Sequence, residues 1–226
     1  MYVLENVPLQ TYSTMRLGGM ARYLSDVNNE KDVAEAVAWA DERHLPIMVI
    51  GIGSNIIWND DGFDGLVLVN KIMGFKTEAQ DEESAYVTVG AGENWDSVVQ
   101  RCVDMNLSGI EQLSKIPGTA GATPIQNVGA YGREIADTLV TLQAYDRETK
   151  KLVTIPKSEC NFGYRSSRFK TTDKGRFIIT NITLFLTKTS PLPPFYASLQ
   201  QYFDEHNITE YSPKIVREAV MAVRKI

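Results

Sequence analysis

Seventeen consecutive residues, Ile116 to Gly132 (IPGTAGATPIQNVGAYG), constrain this chain more than any other stretch. They hold four glycines, two prolines and three alanines, with no lysine and no acid. Glycine loses more conformational entropy on folding than other residues and in exchange permits φ > 0 or close backbone approach. A loop so composed is either a tightly packed connection or a cradle whose own N–H groups face something flat or anionic. Gln126, Asn127 and Tyr131 add polar groups able to read a ring edge or a hydroxyl. A second loop of the same kind, Gly51-Ile52-Gly53-Ser54-Asn55, favours the cradle. It follows Ile47–Ile50, a short apolar run predicted to be a buried strand. A strand end there can offer N–H groups and the Ser54 hydroxyl to a pyrophosphate. The loop lacks the third glycine and following helix of a dinucleotide fingerprint, and the Lys-Ser/Thr pair of a P-loop.

Composition narrows the function classes. A net charge of -5 over 226 residues argues against nucleic acid or a membrane surface as the main partner. No apolar run approaches ~18 residues, and the N-terminus lacks the basic-then-apolar pattern of a signal peptide. The expectation is a soluble, cytoplasmic protein. Cys102 and Cys160 read as small core residues rather than a disulfide. His44 and His206 form no cluster with them, so no metal site is expected.

Periodicity supplies the frame. Val33, Ala36, Val37 and Ala40 predict an amphipathic helix begun by Asn29 and Asp32 and stopped by Pro46. Leu66–Val69 and Tyr86–Val89 predict strands. The polar stretch Gly74–Glu83 between them reads as an exposed connection and a subdomain boundary. Asn94 caps a helix with Trp95, Val98, Val99, Cys102 and Val103 on one face, which makes Trp95 a core residue. Further strands are expected at Leu139–Tyr145, Leu152–Ile155 and Phe177–Leu186, the last with Ile178, Ile182, Leu184 and Leu186 on one face. Between them, CNFGYRSSRFK (160–170) gathers Tyr164, Arg165 and Arg168 with Ser166 and Ser167, a cluster suited to an anion. Phe195–His206 and a segment opened by Ser212-Pro213 predict two closing helices.

Taken in order, GIGSN, GAGENW, SKIPGTAGATPIQNVGAYG and ECNFGYRSSRFK resemble UDP-N-acetylenolpyruvoylglucosamine reductases over essentially the whole chain. The resemblance implies an α+β, two-subdomain FAD-binding fold of the vanillyl-alcohol-oxidase type. Residues 1–73 would form subdomain 1 and residues 74–189 subdomain 2, with 190–226 the start of a truncated substrate-binding domain. It implies non-covalent FAD, NADPH as hydride donor, a UDP-sugar substrate and a cytoplasmic role in peptidoglycan precursor synthesis. Carried over by position, Gly51, Ile52, Gly53, Ser54 and Asn55 resemble the FAD diphosphate loop. Gly118, Thr119, Gly121, Ala122, Thr123, Ile125 and Gly129 resemble the second flavin loop. Tyr131, Tyr164 and Tyr196 resemble substrate-facing residues, and Arg165 the arginine that polarises the enolpyruvyl carboxylate.

The family's proton-donating serine and a C-terminal glutamate would fall after Ile226, and neither Ser166 nor Ser167 stands at the donor position. An FAD- or UDP-sugar-binding module with impaired catalysis is therefore the alternative. Phe195, Tyr202 and Val216 would then form an exposed apolar patch.

Overall fold

The computed structural model describes residues 1–224. Lys225 and Ile226, with which the expected third unit 190–226 ends, lie outside the described residues. The chain forms two sheets of different character. The first contains β1 (Leu4–Pro8), β2 (Met20–Val27), β3 (Ile47–Ile50) and β4 (Phe63–Asn70) in the order β1-β2-β4-β3. β4 pairs in parallel with both β2 and β3, while β1 and β2 are antiparallel. α1 (Glu30–Asp41) makes the crossover; Asn29 caps it by accepting the Asp32 amide.

Central position explains the composition of β4. Leu66, Val67, Leu68 and Val69 are all buried because both faces of the strand are covered. Leu66 and Leu68 pack beneath Val33, Ala36, Val37 and Ala40 of α1. Val67 and Val69 join Leu9, Leu24 and Trp58 on the other side. β3 corrects the expectation of a buried strand: at the sheet edge only Ile50 is buried, and Val49 is exposed.

The second sheet is antiparallel, in the order β10-β9-β11-β6-β5. It comprises β5 (Phe75–Ala79), β6 (Ser84–Gly90), β9 (Leu139–Asp146), β10 (Lys151–Pro156) and β11 (Phe177–Thr187). The polar 74–83 stretch is thus a correction too. Its residues 75–79 pair with β6 as an exposed edge strand, where charged side chains discourage further pairing. α2 (Trp95–Asp104) buries its predicted face, and Asn94 accepts the Ser97 amide. The small ribbon β7 (Gly129–Ala130) and β8 (Arg133–Glu134) leads to the one-turn α3 (Ile135–Thr138).

β11 departs from simple alternation. Its register with β9 shifts between Ile179 and Asn181, a bulge that re-aims the side chains. Ile178 consequently packs with α1 and β4, whereas Ile179, Ile182, Leu184 and Leu186 enter the main core. The same junction holds the sheets together: Asn70 Nδ2 donates to the Ile179 carbonyl at 2.8 Å.

α4 (Ala197–Glu205) and α5 (Pro213–Arg224) close the described chain. Ser212 Oγ accepts the Ile215 amide, as expected of a cap before Pro213. Phe195, Leu199, Phe203, Val216, Ala219 and Val220 bury one another, with Tyr202 against them. The apolar patch expected there does not form, because α4 and α5 pack against each other and α5 rests on α2 and the 111–113 turn.

Candidate functional site

The two small-residue loops meet. Gly51 follows β3 directly, and a Cβ on it would collide with the Thr119 hydroxyl. Gly53 turns the chain with φ +69°, where a Cβ would strike the Tyr12 carbonyl oxygen. The Thr14 amide pins the same glycine by donating to its carbonyl at 3.1 Å. Ser54 Oγ donates to the Pro117 carbonyl at 3.0 Å, tying the first loop to the second. The hydroxyl proton is committed there, so backbone amides are the donors left to face an anion.

Between the loops lies an open cleft of about 320 Å³. Gly51, Ile52, Gly53, Ser54 and Asn55 line it from one side. Gly118, Thr119, Ala122, Thr123 and Ile125 line it from the other. Ile56, Ile116, Pro117, Gln126, Val128 and the tip of β3 complete the walls, with Trp95 at the floor. Trp95 remains the core residue expected: it is fully buried, and its indole N–H donates to the Leu113 carbonyl at 3.0 Å.

The chemistry of this lining suits a flavin dinucleotide. Among the described residues, the amides of Ile52, Gly53, Ser54, Asn55, Gly118 and Thr119 meet no acceptor within the chain. Converging unpartnered amides make a concave positive site for a diphosphate. The aliphatic walls suit a planar aromatic system. Lys170 is the only charged residue among the described lining, so an anion meets no carboxylate despite the acidic chain. Lys170 also donates from Nζ to the Arg165 carbonyl at 3.1 Å.

Not every expected cofactor residue reaches the cleft. The Gly121 amide donates to the Ala91 carbonyl at 2.9 Å, and this glycine lines a smaller cavity of about 90 Å³ behind Gly51 and Thr119. Gly129 pairs with Glu134 in the β7–β8 ribbon. Asn127, taken as a possible reader of a ligand, is buried and structural. Its Nδ2 donates to Glu134 at 2.6 Å and to the Gly163 carbonyl at 3.1 Å, and its Oδ1 accepts the Ala136 amide.

The 160–170 cluster divides in the same way. Arg168 Nε donates to Asp173 at 2.6 Å, and Ser167 Oγ donates to the Ile125 carbonyl at 2.6 Å. Both are spent on holding the segment, which corrects their place in an anion site. Arg165 is exposed, in a left-handed turn at φ +52°, with its guanidinium 5.9 Å from the Tyr164 ring centre. Tyr164 itself is 86% exposed. Tyr131 meets Tyr196 edge-to-face at 5.9 Å, and the Arg224 guanidinium lies 5.5 Å from the Tyr131 ring centre. Sequence reasoning passed over Lys170, Ile116, Pro117 and Val128 as lining residues. Each lies inside a segment already singled out, 116–132 or 160–170, so membership of those segments is the available signal.

Elsewhere the described residues contain no group of His, Cys, Asp and Glu able to hold a metal, and no described helix is long and apolar enough to cross a membrane. Burial pushes the thiol of Cys102 up to about 12 and that of Cys160 to about 11.

A UDP-N-acetylenolpyruvoylglucosamine reductase from Ralstonia nicotianae is 40% identical over 221 residues, which are 96% of this chain and 64% of that protein. One of the same name from Pseudomonas putida is 39% identical over 98% of this chain and 65% of its own length. The chain thus spans just under two thirds of the length of these curated relatives.

Among solved structures, the UDP-N-acetylenolpyruvylglucosamine reductase of Thermus caldophilus superposes with a TM-score of 0.68. That match has 23% identity and covers 100% of this chain and 95% of the other. The 6-hydroxy-D-nicotine oxidase of Arthrobacter nicotinovorans gives 0.58 at 15% identity, over 82% of this chain and 42% of its own. The architecture is therefore the two-subdomain, α+β flavin-binding fold of the vanillyl-alcohol-oxidase type. The family described as FAD binding domain matches residues 21–155, a span that contains both loops of the cleft. By that match the chain belongs to the FAD binding domain family.

Proposed function

We propose that the chain carries out, or forms most of an enzyme that carries out, the NADPH-dependent reduction of UDP-N-acetylenolpyruvoylglucosamine to UDP-N-acetylmuramate in the cytoplasm. The observation that carries the reading is the identity of about 40% with reductases of that name, running through the cleft and the 160–170 segment together. On this reading residues 1–73 and 74–189 are the FAD-binding subdomains, and 190–226 begins the substrate-covering unit. FAD held there and reduced by NADPH would supply a hydride for the β-carbon of the enolpyruvyl group.

The chain's own residues prepare that transfer. Amides of residues 52–55, 118 and 119 hold the cofactor diphosphate, while Ile52, Ile56, Ile116, Ile125 and Val128 exclude water from the ring. Hydride arriving at the β-carbon drives the π electrons toward the α-carbon and into the carboxylate. Arg165 stabilises that developing charge with its guanidinium, and the Lys170 bond to its carbonyl anchors its left-handed turn. Tyr131, Tyr164 and Tyr196 contact the UDP-sugar. Protonation of the α-carbon needs a separate acid. Ser167 is not that acid, because its hydroxyl already serves the Ile125 carbonyl within a buried turn.

The test is steady-state turnover of NADPH with the UDP-sugar substrate. Arg165→Met is expected to keep FAD and lose kcat by about 10²–10³-fold, the range for removing one transition-state charge donor. An unchanged kcat would remove Arg165 from the chemistry. Flavin that NADPH bleaches without sugar turnover would instead favour the cofactor-binding module without the full reaction.

A further inference from the structure

Arg217 lies in α5, more than a hundred residues along the chain from α2, yet it is only 5% exposed and every nitrogen is used. Nε donates to Gln100 Oε1 at 2.7 Å. Nη1 and Nη2 donate to the two oxygens of Asp96 at 2.7 and 3.0 Å. The two acceptors lie one turn apart on α2, so the guanidinium fork reads a helix face rather than a single charge.

Asp96 has a second duty. Its Oδ1 accepts the Lys115 amide at 2.6 Å. On either side, the Trp95 indole donates to the Leu113 carbonyl and the Trp95 amide to the Gly118 carbonyl at 3.1 Å. Arg224 Nη1 donates to the Lys115 carbonyl at 3.0 Å. Residues 113–118 are thereby strapped across the first turn of α2. Lys115 sits at φ +58°, a left-handed conformation that disfavours any side chain, and it is gripped at both its N–H and its C=O. Two residues on, the Pro117 carbonyl receives the Ser54 hydroxyl. Contacts therefore run without a gap from α5 through Asp96 to both walls of the cleft.

We infer that Arg217 and Asp96 are positioning residues for the cofactor, and that docking of α5 sets the spacing of the two glycine loops. This rests on reading the cleft as the FAD site. Neither residue lines the cleft, so their influence passes entirely through the 113–118 strap. Coupling of this kind is reciprocal: if docked α5 favours FAD, bound FAD must favour docked α5.

The experiment titrates FAD into the flavin-free chain by fluorescence quenching and measures amide exchange over 213–224 with and without FAD. The variants are R217M, D96A and the double variant D96N/R217Q, whose neutral amides keep hydrogen-bonding groups in place without buried charge. R217M and D96A are expected to bind FAD about tenfold more weakly, within the usual span of coupling between sites. D96N/R217Q, which removes both charges together and leaves no buried ion unpaired, should lose less affinity than either single variant. FAD should slow exchange across α5 in the parent and not in R217M. A folded R217M or D96A with parental affinity overturns the inference, as does α5 exchange indifferent to FAD in the parent. A parent chain that takes up no FAD overturns the reading of the cleft itself, and the brace with it.

Discussion

At Gly53 the backbone runs left-handed against the Tyr12 carbonyl, so a methyl group has neither the conformation nor the room it needs. Gly53→Ala is expected to displace the 51–55 loop and weaken FAD binding by at least about tenfold, about 1.4 kcal/mol. Equilibrium titration checks this, with circular dichroism to show that the sheets persist. The two thiols give a second prediction at this scale. Held protonated by burial, Cys102 and Cys160 should resist alkylation at mildly alkaline pH until the chain unfolds, as mass spectrometry would read. Residue identity made the glycine loops legible because few positions tolerate such composition without a backbone reason. It could not show that the Ser54 proton goes to Pro117, that Asn127 faces Glu134, or that Arg168 is taken by Asp173. Those are choices of partner, and partners distant in sequence leave no local mark.

Among the elements, α2 is bonded along the 113–118 strap beside the cleft. Its buried Trp95 and its first-turn Asp96 both bond to the 113–118 strap, and its cap Asn94 bridges to Thr119 just beyond it. Burial alone would raise the Asp96 carboxyl, but hydrogen bonds from Arg217 and the Lys115 amide more than offset this and hold it below its ordinary value. Loss of the cap in Asn94→Ala should cost about 1 kcal/mol, measured by denaturant unfolding. The helices were readable because an apolar stripe at 3.6-residue spacing has few other uses. β3 and β5 were misjudged because burial of a short strand depends on its place in the sheet, which only long-range pairing decides. The bulge in β11 likewise follows from its register with β9, and the alternation of Ile178 and Ile182 gives no hint of it.

Over the whole molecule, two sheets meet along α1, with Asn70, Tyr145 and Ile178 at the seam. A part-buried ion network secures the 146–148 end of the second sheet. Arg176 reaches Asp146 through Nε and Nη2 at 2.9 and 2.8 Å and also pairs with Glu148. The Arg176 hydrogen bonds are the largest influence holding the Asp146 carboxyl far below the usual carboxylate range. A depressed folded pKa adds stability that is complete above the unfolded value of about 4 and is lost as pH falls through the folded one. Arg176→Met should therefore lower stability at neutral pH. The gap between variant and parent should narrow in acid below about pH 4, as thermal unfolding across pH would show.

The central claim is that the cleft between the 51–55 and 116–128 loops binds FAD without a covalent bond. The most direct measurement is the visible spectrum of the purified chain loaded with FAD, taken before and after acid precipitation. Stoichiometric flavin that stays in the supernatant on precipitation is expected, with a lower flavin content in Gly53→Ala. A colourless chain, flavin retained in the pellet, or a Gly53→Ala variant as yellow as its parent would contradict it.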